Sequence, residues 1–348
     1  MSEEPFLFAP ELGHVQPLRD APMQLAFDPS ADFDEWRKKL RTKLRELLGM
    51  NKFRKVDTNL RVLAESDRPG YRETRFVFTA EAGVEVPCHL LVPAAASGPV
   101  PLVICLQGHS TGMHISLGRP KYPGDEETIN GGDRDFAIRV VREGFAALVM
   151  EQRCFGERND CRAKDIHAFH ADCTHASMVE LLLGRTMIGA RAWDVMRAID
   201  ALDDVPGLDL DHIACMGNSG GGTITWFAAC LEPRIQVAMP SCYFCTWRQS
   251  IARIDHCVDN YIPGALQYFD LGDLAGLIAP RPLVIVAGEQ DNIFPIAGVH
   301  EEYARVQAIY AKAGAAEKCR LVVGPGGHRF YADLAWPEFH RLAGWKKR

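Results

Sequence analysis

The sequence predicts an α/β protein, a doubly wound and mostly parallel sheet with antiparallel strands at its N-terminal end. Three observations predict it. Short, continuously apolar runs recur as "PLVICLQ", "FAALVME", "HIACMG", "IQVAMP", "PLVIVAG" and "CRLVVG", which is how strands buried on both faces of a parallel sheet read. Helical stretches lie between them, notably "DRDFAIRVVREG", "SMVELLLGRTMIGARAWDVMRAIDAL", the run after Ser219 and "AGVHEEYARVQAIYAKAG"; strand, helix, strand in this order implies right-handed crossovers. Ahead of them, "NLRVLAES", "YRETRFVFTA" and "GVEVPCHLLVP" alternate and turn at Pro69-Gly70 and Gly83, the pattern of antiparallel strands.

The remaining segments complete the layout. Residues 1–58 form an N-terminal extension in which Phe33, Trp36, Leu40, Leu44 and Leu47 recur at helical spacing with basic residues opposite, an amphipathic helix lying on something. Residues 59–348 form the main domain. Two stretches fit neither strand nor helix, 110–133 and 242–279, and the second reads as a lid-like insertion.

Composition narrows the function. The chain has 348 residues, 47% hydrophobic and 24% charged, with a formal net charge of -6, the profile of an ordinary globular protein without the basic footprint that nucleic acid requires. No apolar run approaches the roughly 20 residues that span a bilayer, and the acidic start "MSEEPF" lacks a signal-like basic region. The eleven cysteines are an odd count without the regular spacing of a disulfide scaffold, which suits a reducing compartment. A cytoplasmic protein is expected, with no nucleic-acid or membrane partner; self-association is left open.

Chemistry enters at "HIACMGNSGGGTITW". Gly217-Asn218-Ser219-Gly220-Gly221 is G-x-S-x-G between a buried strand and a helix, where a nucleophile elbow would hold its serine on a strained turn. The glycine-rich phosphate loops are a weaker fit, since their lysine and spacing are missing. A serine hydroxyl needs a base, and the base an acid. Asp291 follows "PLVIVAGEQ" and His328 follows "CRLVV", both at C-terminal strand ends in the order Ser, Asp, His. Rivals for the acid are Asp255, Asp259, Asp270 and Asp273 of the insertion, and for the base His300 and His340 of expected helices.

The backbone N–H of Gly220 and that of His109, in the loop after "VICLQG", are the candidate oxyanion donors. Tyr243, Phe244 and Trp247 follow "IQVAMP" and are expected near the mouth as substrate-binding residues, with lid packing as the other reading. No cofactor and no metal are expected: His109 and His114 lack matched ligands at zinc spacing, and "NDCRAKDIHAFHADCTHAS" (Cys161, Asp165, His167, His170, Cys173, His175) matches no zinc motif. Cys242 and Cys245 form a single C-x-x-C without redox context.

These motifs, with "LQGHSTG", "VMEQRCFGER", "GEQDNIFP" and "GGHRF", resemble the α/β-hydrolase superfamily over roughly residues 60–345, and within it the bacterial branch of acetyl xylan esterase-like and dienelactone hydrolase-like proteins. The resemblance implies that Ser219, Asp291 and His328 form a catalytic triad. Gln107-Gly108 stands where many relatives have His-Gly, and Cys154 where many have glycine. The serine argues against dienelactone hydrolases proper, which usually carry cysteine in the elbow. The implied substrate is a small-molecule ester with a short acyl group, acetyl, on a carbohydrate or related alcohol. The alternatives are a peptidase or amidase of the same fold and a non-catalytic binding module.

Overall fold

The structure, a computed structural model, describes residues 12–159 and 169–345. Two helices come first, α1 (Leu12–Arg19) and α2 (Phe33–Leu47). The Asp32 carboxylate caps α2 by accepting the Glu35 N–H at 2.9 Å, satisfying one of the donors a helix start leaves orphaned. Trp36, Leu40 and Leu44 turn into the main core. Arg37 donates to the carbonyls of Gly276 and Ala279 at 2.7 and 2.9 Å, so the amphipathic helix lies on the last turn of the insertion.

The sheet begins with β1 (Arg61–Arg68), β2 (Tyr71–Glu81), β3 (Val84–Pro93) and β4 (Val100–Leu106), followed by α3 (Asp125–Gly131), α4 (Phe136–Arg142) and β5 (Ala146–Met150). Next come α5 (Phe169–Leu182), α6 (Met187–Leu202), β6 (Leu208–Asn218), α7 (Gly220–Leu231) and β7 (Ile235–Ser241). After the insertion, β8 (Leu283–Gly288), α8 (Ile296–Lys312), β9 (Cys319–Gly324) and α9 (Ala332–Ala343) close the chain. The strand order is β1-β2-β3-β5-β4-β6-β7-β8-β9. The first three strands pair antiparallel, β3 meets β5 antiparallel, and β5, β4, β6, β7, β8 and β9 run parallel.

The continuous apolar runs have a simple cause. Leu102, Ile104 and Leu106 of β4 face a core built with α2, α6, α7 and α8, while Val103 and Cys105 face a second core built with α4 and α9. A strand covered on both sides cannot alternate in polarity.

Two expectations change. The stretch 177–202 is two helices rather than one: Gly184, at φ 70°, breaks it, and the Thr186 hydroxyl starts α6 by accepting the Gly189 N–H at 3.0 Å. The insertion is no loose cover over its whole length, because Phe269, Leu271, Leu274 and Ile278 are fully enclosed in the main core. No helix among the described residues is long and apolar enough to cross a membrane.

Candidate active site

The C-terminal ends of the parallel strands share one rim. Asn218 of β6 registers with Ser241 of β7, Ser241 with Val286 of β8, and Gly288 of β8 with Gly324 of β9. A cavity of about 540 Å³ between Pro101, His212, Pro282 and Trp345 lies at the opposite, N-terminal rim and is separate from the chemistry below.

Ser219 sits where β6 turns into α7, with φ 57° and ψ -125°, a conformation costly for any residue with a Cβ. Its N–H is held by the Ser241 carbonyl at 2.9 Å, and the preceding Asn218 accepts from the Ser241 hydroxyl at 2.7 Å. The glycines permit the approach: a Cβ on Gly221 would overlap the Leu106 carbonyl, and one on Gly108 would come within 2.8 Å of the Ser219 Cβ. The loop carrying Gly108 and His109 is therefore pressed against the elbow, beside Gly220.

Asp291 and His328 meet. One Asp291 oxygen accepts the N–H groups of Ile293 and Phe294 at 2.9 and 3.1 Å, which fixes the carboxylate, and the other lies 2.8 Å from His328 Nδ1. With Nδ1–H donating to the carboxylate, Nε2 is left as the acceptor a general base needs. Burial pushes the Asp291 carboxyl up, but the hydrogen bond and charge of His328, with the two N–H groups, hold it below its ordinary value. The two loops are tied together: Glu289 N–H donates to the Gly324 carbonyl at 2.8 Å and Gln290 N–H to that of Gly326 at 2.9 Å. The Phe294 ring stacks on the imidazole at 5.8 Å between centroids.

Beside the elbow lies a buried network that the sequence reading did not connect. His109 Nε2 is 3.1 Å from Asp259 Oδ2, and Arg191 donates to the same oxygen at 2.6 Å. Burial alone would keep His109 neutral; the charge of Asp259 and its hydrogen bond, with Cys173 beyond, push it up to about 9. Burial likewise raises Asp259, but His109 and Arg191 hold it down at about 2. The turn carrying Asp259 is anchored to α7, since the Thr223 hydroxyl donates to Asn260 at 2.7 Å. Asp259 is thus a partner of His109 rather than of His328, and Asp270 caps another turn through Leu271 N–H at 2.8 Å.

The aromatic residues expected at the mouth lie elsewhere. Tyr243 is 0% exposed, Phe244 2% and Trp247 5%: Tyr243 packs on Phe294, Phe244 on Trp226 and Trp247 on Phe269. The chain leaving β7 turns inward as the insertion begins, so these rings are core. Phe294 stacks behind His328, and its place three residues after Asp291 was the available signal. Gln107 turns inward and donates to Ser116 Oγ and the Arg134 carbonyl at 2.7 and 2.8 Å. Cys242 donates to the Arg329 carbonyl at 3.1 Å and Cys245 to that of Pro295 at 3.6 Å, so the C-x-x-C thiols serve different partners. Of the Cys/His-rich run, Cys161, Asp165, His167 and the side chain of His170 lie outside the described residues.

The chain matches the Abhydrolase family over residues 12–319. YtaP of Bacillus subtilis (strain 168), provisionally named a hydrolase, is 28% identical over 253 residues, covering 70% of this chain and 78% of that protein. A structure from Bacteroides fragilis NCTC 9343, provisionally named an acetyl xylan esterase, superposes with TM-score 0.78 at 19% identity, covering 98% of this chain and 91% of that one. The glucuronoyl esterase of Solibacter usitatus superposes with TM-score 0.66 at 15% identity, covering 93% and 96%. The structural likenesses show the fold, and the sequence match spans most of the chain: the protein has the α/β-hydrolase fold and belongs to the Abhydrolase family.

Proposed function

We propose that the protein is a serine ester hydrolase that works through Ser219, His328 and Asp291. The observation that carries the reading is the 2.8 Å pair between Asp291 and His328, at the same strand rim as a serine held on a strained turn. The Ser219 hydroxyl attacks the ester carbonyl carbon, and His328 Nε2 takes its proton. Asp291 orients the imidazole and balances its positive charge. The N–H groups of Gly220 and His109 receive the negative charge that grows on the carbonyl oxygen. Collapse of this intermediate breaks the bond to the alcohol, which leaves with the proton from His328. Water, activated by the same histidine, then attacks the acyl-enzyme, and the free acid departs.

The substrate class is a short-acyl ester, acetyl foremost, on a carbohydrate or related alcohol. The structural neighbour provisionally named an acetyl xylan esterase supports the acetyl group, and the neighbouring glucuronoyl esterase supports a carbohydrate ester more broadly. Turnover of p-nitrophenyl esters of increasing acyl length, acetylated xylo-oligosaccharides, methyl glucuronate esters and aminopeptide anilides tests this. Highest kcat/KM on acetyl esters is expected. A preference for the anilides would replace the esterase reading with a peptidase one, and inactivity throughout would leave a binding module.

A further inference from the structure

Outside the proposed triad, one cluster stands out among the described residues. His109, Cys173, Cys257 and Asp259 each turn a potential ligand atom to a common point, all four atoms within 4.8 Å of one another. They come from three separate parts of the fold: the loop after β4, helix α5 and the short turn of the insertion. Cys173, Cys257 and Asp259 are buried.

We propose that these four side chains form a zinc site, with His109 Nε2, Cys173 Sγ, Cys257 Sγ and Asp259 Oδ2 as the ligands. Two sulfurs, an imidazole and one carboxylate oxygen are a donor set that suits zinc, whereas calcium and magnesium take oxygen ligands. The spacing fits. Two ligands at ordinary zinc–nitrogen and zinc–oxygen distances stand about 3.3 Å apart in a tetrahedron, and a sulfur and a nitrogen about 3.6 Å. The structure holds His109 Nε2 and Asp259 Oδ2 at 3.1 Å and Cys173 Sγ and His109 Nε2 at 3.8 Å.

Charge fits as well. Two thiolates and a carboxylate carry three negative charges; zinc neutralises two, and the buried Arg191 the third. Arg191 already touches two of the ligands, donating to Asp259 at 2.6 Å and to Cys173 Sγ at 3.6 Å. Outer partners of this kind orient metal ligands. Binding would release the protons of the ligands to solvent and involves no change of oxidation state.

With all four positions filled by protein, the site is of the closed, structural type. Its effect would be mechanical. His109 lies in the loop pressed against the elbow, its other ring nitrogen 3.3 Å from where a Cβ on Gly220 would stand. A zinc ion would fasten this loop, α5 and the insertion into one wall beside Ser219.

The test uses the full chain, reduced and then freed of reductant under anaerobic conditions, titrated with cobalt(II) as a coloured substitute for zinc. One equivalent should produce the intense visible bands of tetrahedral cobalt and a thiolate-to-cobalt band in the near ultraviolet, both erased by zinc. Cys257→Ser should weaken binding by at least about 100-fold, while Cys245→Ser should bind normally. Zinc should also raise the melting temperature of the wild type and leave that of Cys257→Ser unmoved. Because Cys257→Ser could fail to fold, X-ray absorption of the zinc-loaded wild type gives an independent reading: two sulfurs at about 2.3 Å and two lighter ligands at about 2.0–2.1 Å. Absence of a thiolate band, an undiminished band in folded Cys257→Ser, or a coordination shell without sulfur would overturn the site.

Discussion

Asp291 Oδ2 lies 2.8 Å from His328 Nδ1, and its other oxygen is committed to two backbone N–H groups. The carboxylate can neither rotate away nor choose another partner without leaving donors unpaired. That fixes the face of the imidazole and which nitrogen stays free.

Replacing Asp291 by Asn keeps the shape and removes the charge. The amide would also favour the wrong imidazole tautomer. Ester turnover should fall by roughly 10⁴ in kcat, as in protease triads, with the melting curve little changed. Kinetics and thermal unfolding on one preparation check both halves.

Gly221 is required by packing, since a Cβ there would overlap the Leu106 carbonyl. Gly221→Ala should destabilise the fold by about 1–3 kcal/mol or more through overpacking, read as a lower denaturation midpoint. Gly98→Ala, in open space, is the control and should be close to neutral.

Arg191 supports the wall beside the elbow. It is buried, bonded to Asp259 at 2.6 Å and to the Arg153 carbonyl at 2.8 Å. Arg191→Met would leave the buried Asp259 carboxylate with His109 as its remaining charged partner, and losing one member of a buried charge pair costs up to about 3–5 kcal/mol. Chemical denaturation should show the loss, and Arg191→Lys should recover only part of it, because an ammonium cannot reproduce the fork.

Stability should also depend on pH through Glu151, at the end of β5. Burial pushes its carboxyl from 4.5 up to about 7, against the Met113 and Glu157 N–H groups and the charge of Arg158, which pull it down. The unfolded chain therefore releases this proton first as pH rises. The contribution of Glu151 is fully present below pH 4.5 and is lost progressively up to pH 7, about 3 kcal/mol in all. Glu151→Gln should flatten that part of the stability profile, measured by denaturation at a series of pH values.

The sequence exposed some of this and hid the rest for physical reasons. Strands covered on both faces must be apolar throughout, so β4 to β8 were legible one by one, and the edge strand β9 by its run Leu321, Val322 and Val323. Ser219, Asp291 and His328 each follow such a strand closely, which let strand ends stand in for proximity. Burial beyond the strand was not legible: Tyr243, Phe244 and Trp247 look like mouth residues until the start of the insertion is seen to turn inward against Trp226, Phe294 and Phe269. Gly184 inside an otherwise helical run could be a tolerated glycine or a break, and only its left-handed φ decides. The pairing of Arg191 with Asp259, 68 residues apart, depends on how α6 and the insertion pack, which no local pattern records.

Whether Ser219 is the nucleophile can be read from a single covalent adduct. Treated with a fluorophosphonate and digested, the protein should yield one modified peptide, mass-shifted at Ser219, and none in Ser219→Ala. A folded wild-type protein that stays unlabelled, or that carries the label on another serine, would contradict the mechanism.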